Sequence, residues 1–464
     1  MENNIGDRNH VSIEITPIYE RLVSSIRGTM ERAASEGCIC KVSCEEIRRE
    51  NLKAYVPDKV SIGPIHRNDE VLKAMEDQKW RYLYALVNRK PNQLEESLNA
   101  CVDALMGLEP KARLFYKEDV SLHRDEFVKM MLVDGGFIIE LFLKSTMKGL
   151  KRRNDPIFST PGLLWRIRCN LIMLENQLPF FILQEIFRIV PIPKQCKYSI
   201  TDLALVFFKS MIPGDHQLHK EKYSQESNHL LDLVYHCYLP TIPRIQVKEN
   251  PPYGFRGPAT YLKESGIKLS RARRRVENLL DIKFNKGVLE IPTIHIHHFT
   301  EILFRNFIAF EQCPCHDNIN SLSVRYISSY VVLMKSLIDS DKEAKFLDQQ
   351  DILLTDDNVD EKDVHQLFER LSRSALKNSN IDELKDFYFD GLCEQVNRYK
   401  TWRCWKTKKS SGSSSSSSSN CQTTRKKKKK EDAPWTLLFV AAILLLALTF
   451  FGTLFSILSF FLRH

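Results

Sequence analysis

Apolar residues recur at helical spacing through most of the chain. Thr16-Pro17 offers an N-cap followed by a first-turn proline, and Ile18, Leu22, Ile26, Met30 and Ala33 then mark one face of an amphipathic helix. A second stripe runs through Phe299, Ile302, Leu303, Phe307 and Phe310, and further helices are expected around 124–148, 321–337 and 361–371. The pattern changes at Leu280–Ile296, where alternating apolar residues flank Asn285-Lys286-Gly287 as in a hairpin, with Ile39–Val42 as a further candidate strand. Both flanks of Leu163–Phe187 are too apolar for a surface helix, and Pro179 should break them at Leu178. That break is expected in the core, where Glu175, Asn176 and Gln177 must find partners or cost about 1–3 kcal/mol each. The fold class is therefore expected to be mainly α: a large multi-helix globular domain with a small antiparallel β element.

The C-terminal end follows another rule. Ala433–Leu462 contains no charged residue, and about 20 apolar residues suffice to span a bilayer, so a single transmembrane helix is expected, with Trp435 at the membrane interface. Arg425, Lys426, Lys427, Lys428, Lys429 and Lys430 precede it, against Arg463 and His464 after it, which places the N-terminal domain in the cytosol. Met1–Glu14 lacks the pattern of a secretion signal. The expected localisation is single-pass and C-terminally anchored, at the plasma membrane.

Charge sharpens this reading. The net charge is +9, and the run 425–430 supplies six of those charges, so the remainder is nearly neutral. Such a run is attracted to anionic lipid head groups, and it is assigned to them and the bilayer in preference to nucleic acid. Lys408–Thr424 is Ser-rich without apolar periodicity and reads as a flexible tether. The expected organisation is an N-terminal segment with an amphipathic helix (1–37), a cytosolic domain of two packed lobes (38–405), a Ser-rich and polybasic linker (406–432) and the span (433–462). Gly452, Ser456 and Ser459 share roughly one face of that span and offer a surface for self-association. The 12 cysteines show no short disulfide-framework spacing and read as reduced.

Four segments together resemble the plant family known as domain of unknown function 247. They are Val60–Pro64 leading to Met75–Leu83, Asp134–Phe142, Leu174–Phe181 and Phe299–Gln312. The resemblance implies a membrane-associated plant protein with a part in recognition or signalling, as in pollen self-incompatibility of grasses, and no established catalytic activity. Two departures stand out: Ile65-His66-Arg67 where a Tyr-His-His-like run is usual, and His297-His298 where acidic residues usually precede the Phe-Thr-Glu helix.

Candidate chemistry is sparse. His295, His297 and His298 with Cys313, Cys315 and His316 have the composition of a metal site but not its spacing, and Cys38, Cys40 and Cys44 read as small buried hydrophobes; neither a metal nor a cofactor is expected. His123-Arg124-Asp125 imitates a kinase triplet without the accompanying Gly-rich loop or Asp-Phe-Gly. Val60–Pro64 reads as an ordered turn, since its single glycine precedes a proline without an N–H. The catalytic candidates are Glu140, Glu175 and Glu311, with Glu301, because desolvation of carboxylates embedded in apolar segments is expected to raise their pKa values. The simpler reading makes them ion pairs with residues such as Arg305 or Arg166, or helix caps. The functional reading is a tethered recognition or signalling protein with an unidentified protein partner. A hydrolase or transferase using buried carboxylates and a structural membrane scaffold are the alternatives. Two of those carboxylates converging on an open cleft would favour an enzyme; satisfied side chains would favour recognition.

Overall fold

A computed structural model describes residues 23, 38–42, 45–214, 227–245, 254–272, 278–313, 324–356, 361–376 and 387–399. The chain divides into the units Met1–Ser410 and Ser411–His464, and every described residue belongs to the first. Its helices are α1 (Glu45–Glu50), α2 (Glu76–Val87), α3 (Leu94–Arg113), α4 (Arg124–Thr146), α5 (Pro156–Ser159), α6 (Leu163–Asn170), α7 (Phe180–Ile189), α8 (Ile200–Phe207), α9 (Leu230–His236), α10 (Ala259–Glu264), α11 (Thr300–Glu311), α12 (Tyr326–Leu337), α13 (Asp341–Asp348) and α14 (Glu361–Ala375).

Helix α4 is the axis of the N-terminal half. It carries Asp125 and Glu126 in its first turn, where they complement the helix dipole, and every residue from Met130 to Lys144 is buried. α2, α3, α7 and α8 pack around it. Gly135 and Gly136 allow this crowding: a Cβ at Gly135 would lie 2.5 Å from Ile186 Cδ1 on α7, and one at Gly136 would lie 2.5 Å from Leu83 Cδ1 on α2. Glycine costs a helix interior up to about 1 kcal/mol, which the close approach of two neighbours offsets.

The C-terminal half is built on α11, α12 and α14, with α13 against α14. Val364, Leu367, Phe368, Leu371 and Ala375 are buried at helical spacing along α14, so this helix presents one apolar stripe to its neighbours. The buried apolar residues of both halves form one continuous core.

The β structure differs from the antiparallel element expected. β2 (Lys283–Asn285) and β3 (Val288–Ile291) do form an antiparallel hairpin, turning at Lys286 and Gly287, both with positive φ. β1 (Lys268–Arg271), however, joins β3 in parallel, and β4 (Ile294–Ile296) pairs in parallel with the remote β5 (Leu353–Thr355). Ile39 forms a parallel bridge with Tyr116 beyond the end of α3 and joins neither sheet. Alternation along a sequence reports the two faces of a strand, not the direction of its partner.

The expected fold class is corrected in a second respect. No helix among the described residues is long and apolar enough to cross a membrane. α4, at 23 residues, has the length, but it carries Asp134, Glu140 and Lys144, and its apolar side chains are buried in the protein core. The expected span 433–462, the linker 406–432 and, save Val23, the helix expected from Ile18 to Ala33 lie outside the described residues.

The apolar segment around Pro179 is a junction between α6 and α7, and all of residues 169–180 are buried. Leu178→Asp, at a position 2% exposed, is expected to lower stability by roughly 3 kcal/mol or more through an unpaired buried charge. A urea midpoint equal to that of the unaltered chain would refute the prediction.

Candidate functional site

The junction 171–179 runs through the core without secondary structure, so its polar groups need side-chain partners. Leu174 N–H donates to Asn306 Oδ1 at 2.8 Å, Leu231 N–H donates to Gln177 Oε1 at 3.2 Å, and Gln177 Nε2 donates to the carbonyls of Leu171 and Met173. The segment 59–63 lies alongside and belongs to neither sheet. Its N–H groups donate to side chains: Lys59 and Val60 to Asn170 Oδ1, Ile62 to Asn176 Oδ1, and Gly63 to Asp134 Oδ2. Lys79, buried on α2, donates to the Ser61 carbonyl and to Asp134 Oδ1. With these N–H groups engaged, Val60–Pro64 is a docked strap and offers no phosphate cradle. The sequence pointed to Glu175, Asn176 and Gln177 as polar groups needing partners; it carried no comparable signal for Lys79 and Asp134, which meet only in the fold.

The candidate carboxylates are all engaged, each in a different place. Glu175 is fully buried; it accepts from Val42 N–H at 3.0 Å and from Arg48, and its other oxygen lies 2.9 Å from His66 Nε2. Burial would raise its pKa, but these donors outweigh burial and hold it below the usual carboxylate value. Glu140 pairs with Arg89, yet burial still leaves its pKa raised. Glu301 accepts from Arg305, Arg370 and Asn51, which lower its pKa against the opposing effect of burial. Glu311 accepts four hydrogen bonds: from Tyr235 Oη at 2.8 Å, Ile327 N–H at 2.6 Å, Ser328 N–H at 2.9 Å and Ser328 Oγ at 2.7 Å. It thereby caps the N-terminus of α12 from the end of α11, where two free helical N–H groups and the dipole favour an anion.

A cavity lies elsewhere, between β4, α11 and the segment after α8. It has a volume of about 640 Å³, and its lining includes Tyr238, Phe299 and Phe304 with Arg271, His295 and His297. None of Glu140, Glu175, Glu301 or Glu311 lines it. His295, His297 and Phe299, at every second position, stack their rings at centroid distances of 6.1 and 4.9 Å, and His297 Nδ1 is 2.6 Å from Asp356 Oδ2. Burial, together with the adjacent His297, lowers the pKa of His295. His298 turns away to pack against Trp165. Among the described residues, no group of three His, Cys, Asp or Glu could hold a metal ion; Cys44, Cys315 and His316 lie outside them. The basic residues Arg425, Lys426, Lys427, Lys428, Lys429 and Lys430, the interfacial Trp435, and Gly452, Ser456 and Ser459 also lie outside them.

The model of the DUF247 family, described as plant protein of unknown function, matches residues 39–448. The chain belongs to this family. Among curated proteins it is 29% identical over 396 residues to UPF0481 protein At3g47200 of Arabidopsis thaliana, covering 80% of this chain and 79% of that one. It is 23% identical over 452 residues to Putative UPF0481 protein At3g02645 of the same plant, covering 76% and 80%. No solved structure matches significantly. Three of the family-like segments meet at the junction: Val60–Pro64 supplies the strap, Leu174–Phe181 the buried loop, and Asp134 on α4 the carboxylate between strap and Lys79. Asn306, within the fourth segment, binds the same loop and also donates to the Ala54 carbonyl. For this member of the DUF247 family, the resembling segments thus mark the polar framework of the core. The membrane association implied by the resemblance has no counterpart among the described residues.

Because the folded pKa of Glu175 lies below the unfolded value of about 4.3, its contribution to stability is present above that pH and is lost as pH falls through the folded value. Glu175→Gln is therefore expected to destabilise the protein by about 2 kcal/mol at pH 7 and by less at pH 3. Urea midpoints measured from pH 7 to pH 3 check this; an equal loss at both ends would contradict the assignment.

Proposed function

We propose that this protein acts by recognising another protein and is not a hydrolase or transferase built on buried carboxylates. The observation that carries the reading is the engagement of those carboxylates: Glu140, Glu175 and Glu311 are held by different partners within the fold, and none lines the cavity. An acid–base pair needs two groups that converge on space for a reacting molecule.

Recognition needs exposed anchors. On α2, Trp80 and Tyr84 are one turn apart and are 46% and 58% exposed, although Tyr82 and Leu83 between them are buried. Lys129 on α4 places its ammonium 6.0 Å from the Trp80 ring. Exposed aromatic side chains of this kind are enriched among residues that dominate protein interfaces, and they contribute little to the core.

Proximity labelling with the full-length chain in its native tissue tests the reading. A defined set of proteins is expected, and Trp80→Ala/Tyr84→Ala should lose it while changing stability by less than about 1 kcal/mol. An unchanged set would place recognition on another surface. Turnover of a small molecule by the purified protein, abolished by Glu140→Gln or Glu175→Gln without loss of fold, would replace the proposal with the enzymatic alternative.

A further inference from the structure

Two sulfur atoms, 273 positions apart in the chain, meet in the core. Cys40 Sγ lies 3.0 Å from Cys313 Sγ, with the residues 6% and 2% exposed, and none of the described cysteines is joined in a disulfide. The backbone on both sides of Cys40 is pinned. Ile39 N–H donates to the Phe115 carbonyl at 2.9 Å and its carbonyl accepts from Lys117 N–H at 3.0 Å, while Lys41 N–H donates to Glu118 and Val42 N–H to Glu175. Cys313 stands two residues beyond the end of α11, and its N–H donates to the Phe310 carbonyl at 3.0 Å. A disulfide requires the sulfurs to close to about 2.05 Å, a movement of roughly 1 Å from the observed contact.

We propose that Cys40 and Cys313 are a site of covalent modification, forming a disulfide when the protein meets a peroxide. One thiol, losing its proton, attacks the peroxide O–O bond and becomes a sulfenic acid, with release of water. The second thiol attacks that sulfenic sulfur, the S–S bond forms, and a second water leaves. Two thiols are oxidised by two electrons, and one hydrogen peroxide is reduced to two waters.

The contact with Cys313 and burial push the Cys40 thiol up, so the first step is slow, because the thiolate is the nucleophile. The second step is fast, since the resolving sulfur is already in contact. This combination distinguishes the pair from a surface sensor: it resists casual oxidation, and once oxidised it closes on itself before a further oxygen is added. The product would tie the segment that carries Ile39 and Val42 to the end of α11.

The full-length protein is treated with hydrogen peroxide without denaturant, then alkylated in denaturant, digested without reduction and analysed by mass spectrometry. A Cys40–Cys313 cross-linked peptide is expected, together with an upward shift of the melting temperature by several degrees that dithiothreitol reverses. Cys101 and Cys169, likewise buried but with no second sulfur in contact among the described residues, should appear in no cross-linked peptide and serve as internal controls. In Cys40→Ala, the same treatment should carry Cys313 on to the sulfinic acid, because its resolving partner is gone. Full alkylation of both cysteines after oxidation, pairing of either with Cys38 or Cys44, or sulfinic acid at Cys313 in the unaltered chain would overturn the proposal.

Discussion

The fold depends on satisfying the backbone of two buried segments that have no regular secondary structure. Residues 60–63 and 171–179 lie in the core side by side, and an unpaired N–H there would cost about 1–3 kcal/mol. Asn170, Asn176 and Asp134 replace the missing strand, each offering its side-chain oxygen to N–H groups of the strap. Amide side chains suit the task because they donate as well as accept: Asn176 returns hydrogen bonds to the carbonyls of Val60 and Asn170. Gly63 completes the arrangement. Its φ of +75° lies in the left-handed region, and a Cβ there would stand 2.5 Å from the Gln177 carbonyl oxygen.

Buried charges join the remaining elements to this framework. Arg305 is fully buried, and its guanidinium donates to Glu301 on its own helix, to Ser374 on α14 and to Glu50 on α1. Guanidinium geometry allows three directions of donation from one plane, so a single residue orients three helices. Glu311 acts at the other end of α11 by fixing the start of α12. A carboxylate satisfied by four uncharged donors gains more from hydrogen bonds and the helix dipole than from an ion pair, and replacing it would free several buried donors at once.

These connections bear directly on function. Every embedded carboxylate that marked a potential catalytic group is consumed in holding elements together, whereas the open cavity is lined by aromatic, aliphatic, methionine, hydroxyl, histidine and arginine side chains. At Glu140, Glu175 and Glu301, structural roles and shifted pKa values coincide because burial and strong hydrogen bonding cause both. The lowered pKa of Glu175 and the raised pKa of Glu140 follow from the balance of donors against burial at each site.

What the sequence determined by itself was local. Helical periodicity in Phe299–Phe310, the turn chemistry of Lys286-Gly287, the break at Pro179 and the family-like segments can all be read within short windows, because spacing and backbone sterics act over a few residues. The apolar run 433–462 is equally local, but its reading as a span describes no helix among the described residues. Only the tertiary structure decided the partners. It paired β1 with β3 and β4 with β5 in parallel, gave Glu311 to α12, brought Lys79 to Asp134 and set Cys40 against Cys313. These pairs are separated by between 16 and 273 residues. Which buried donor meets which buried acceptor is settled by packing the whole core at once, and no window of the sequence contains that information.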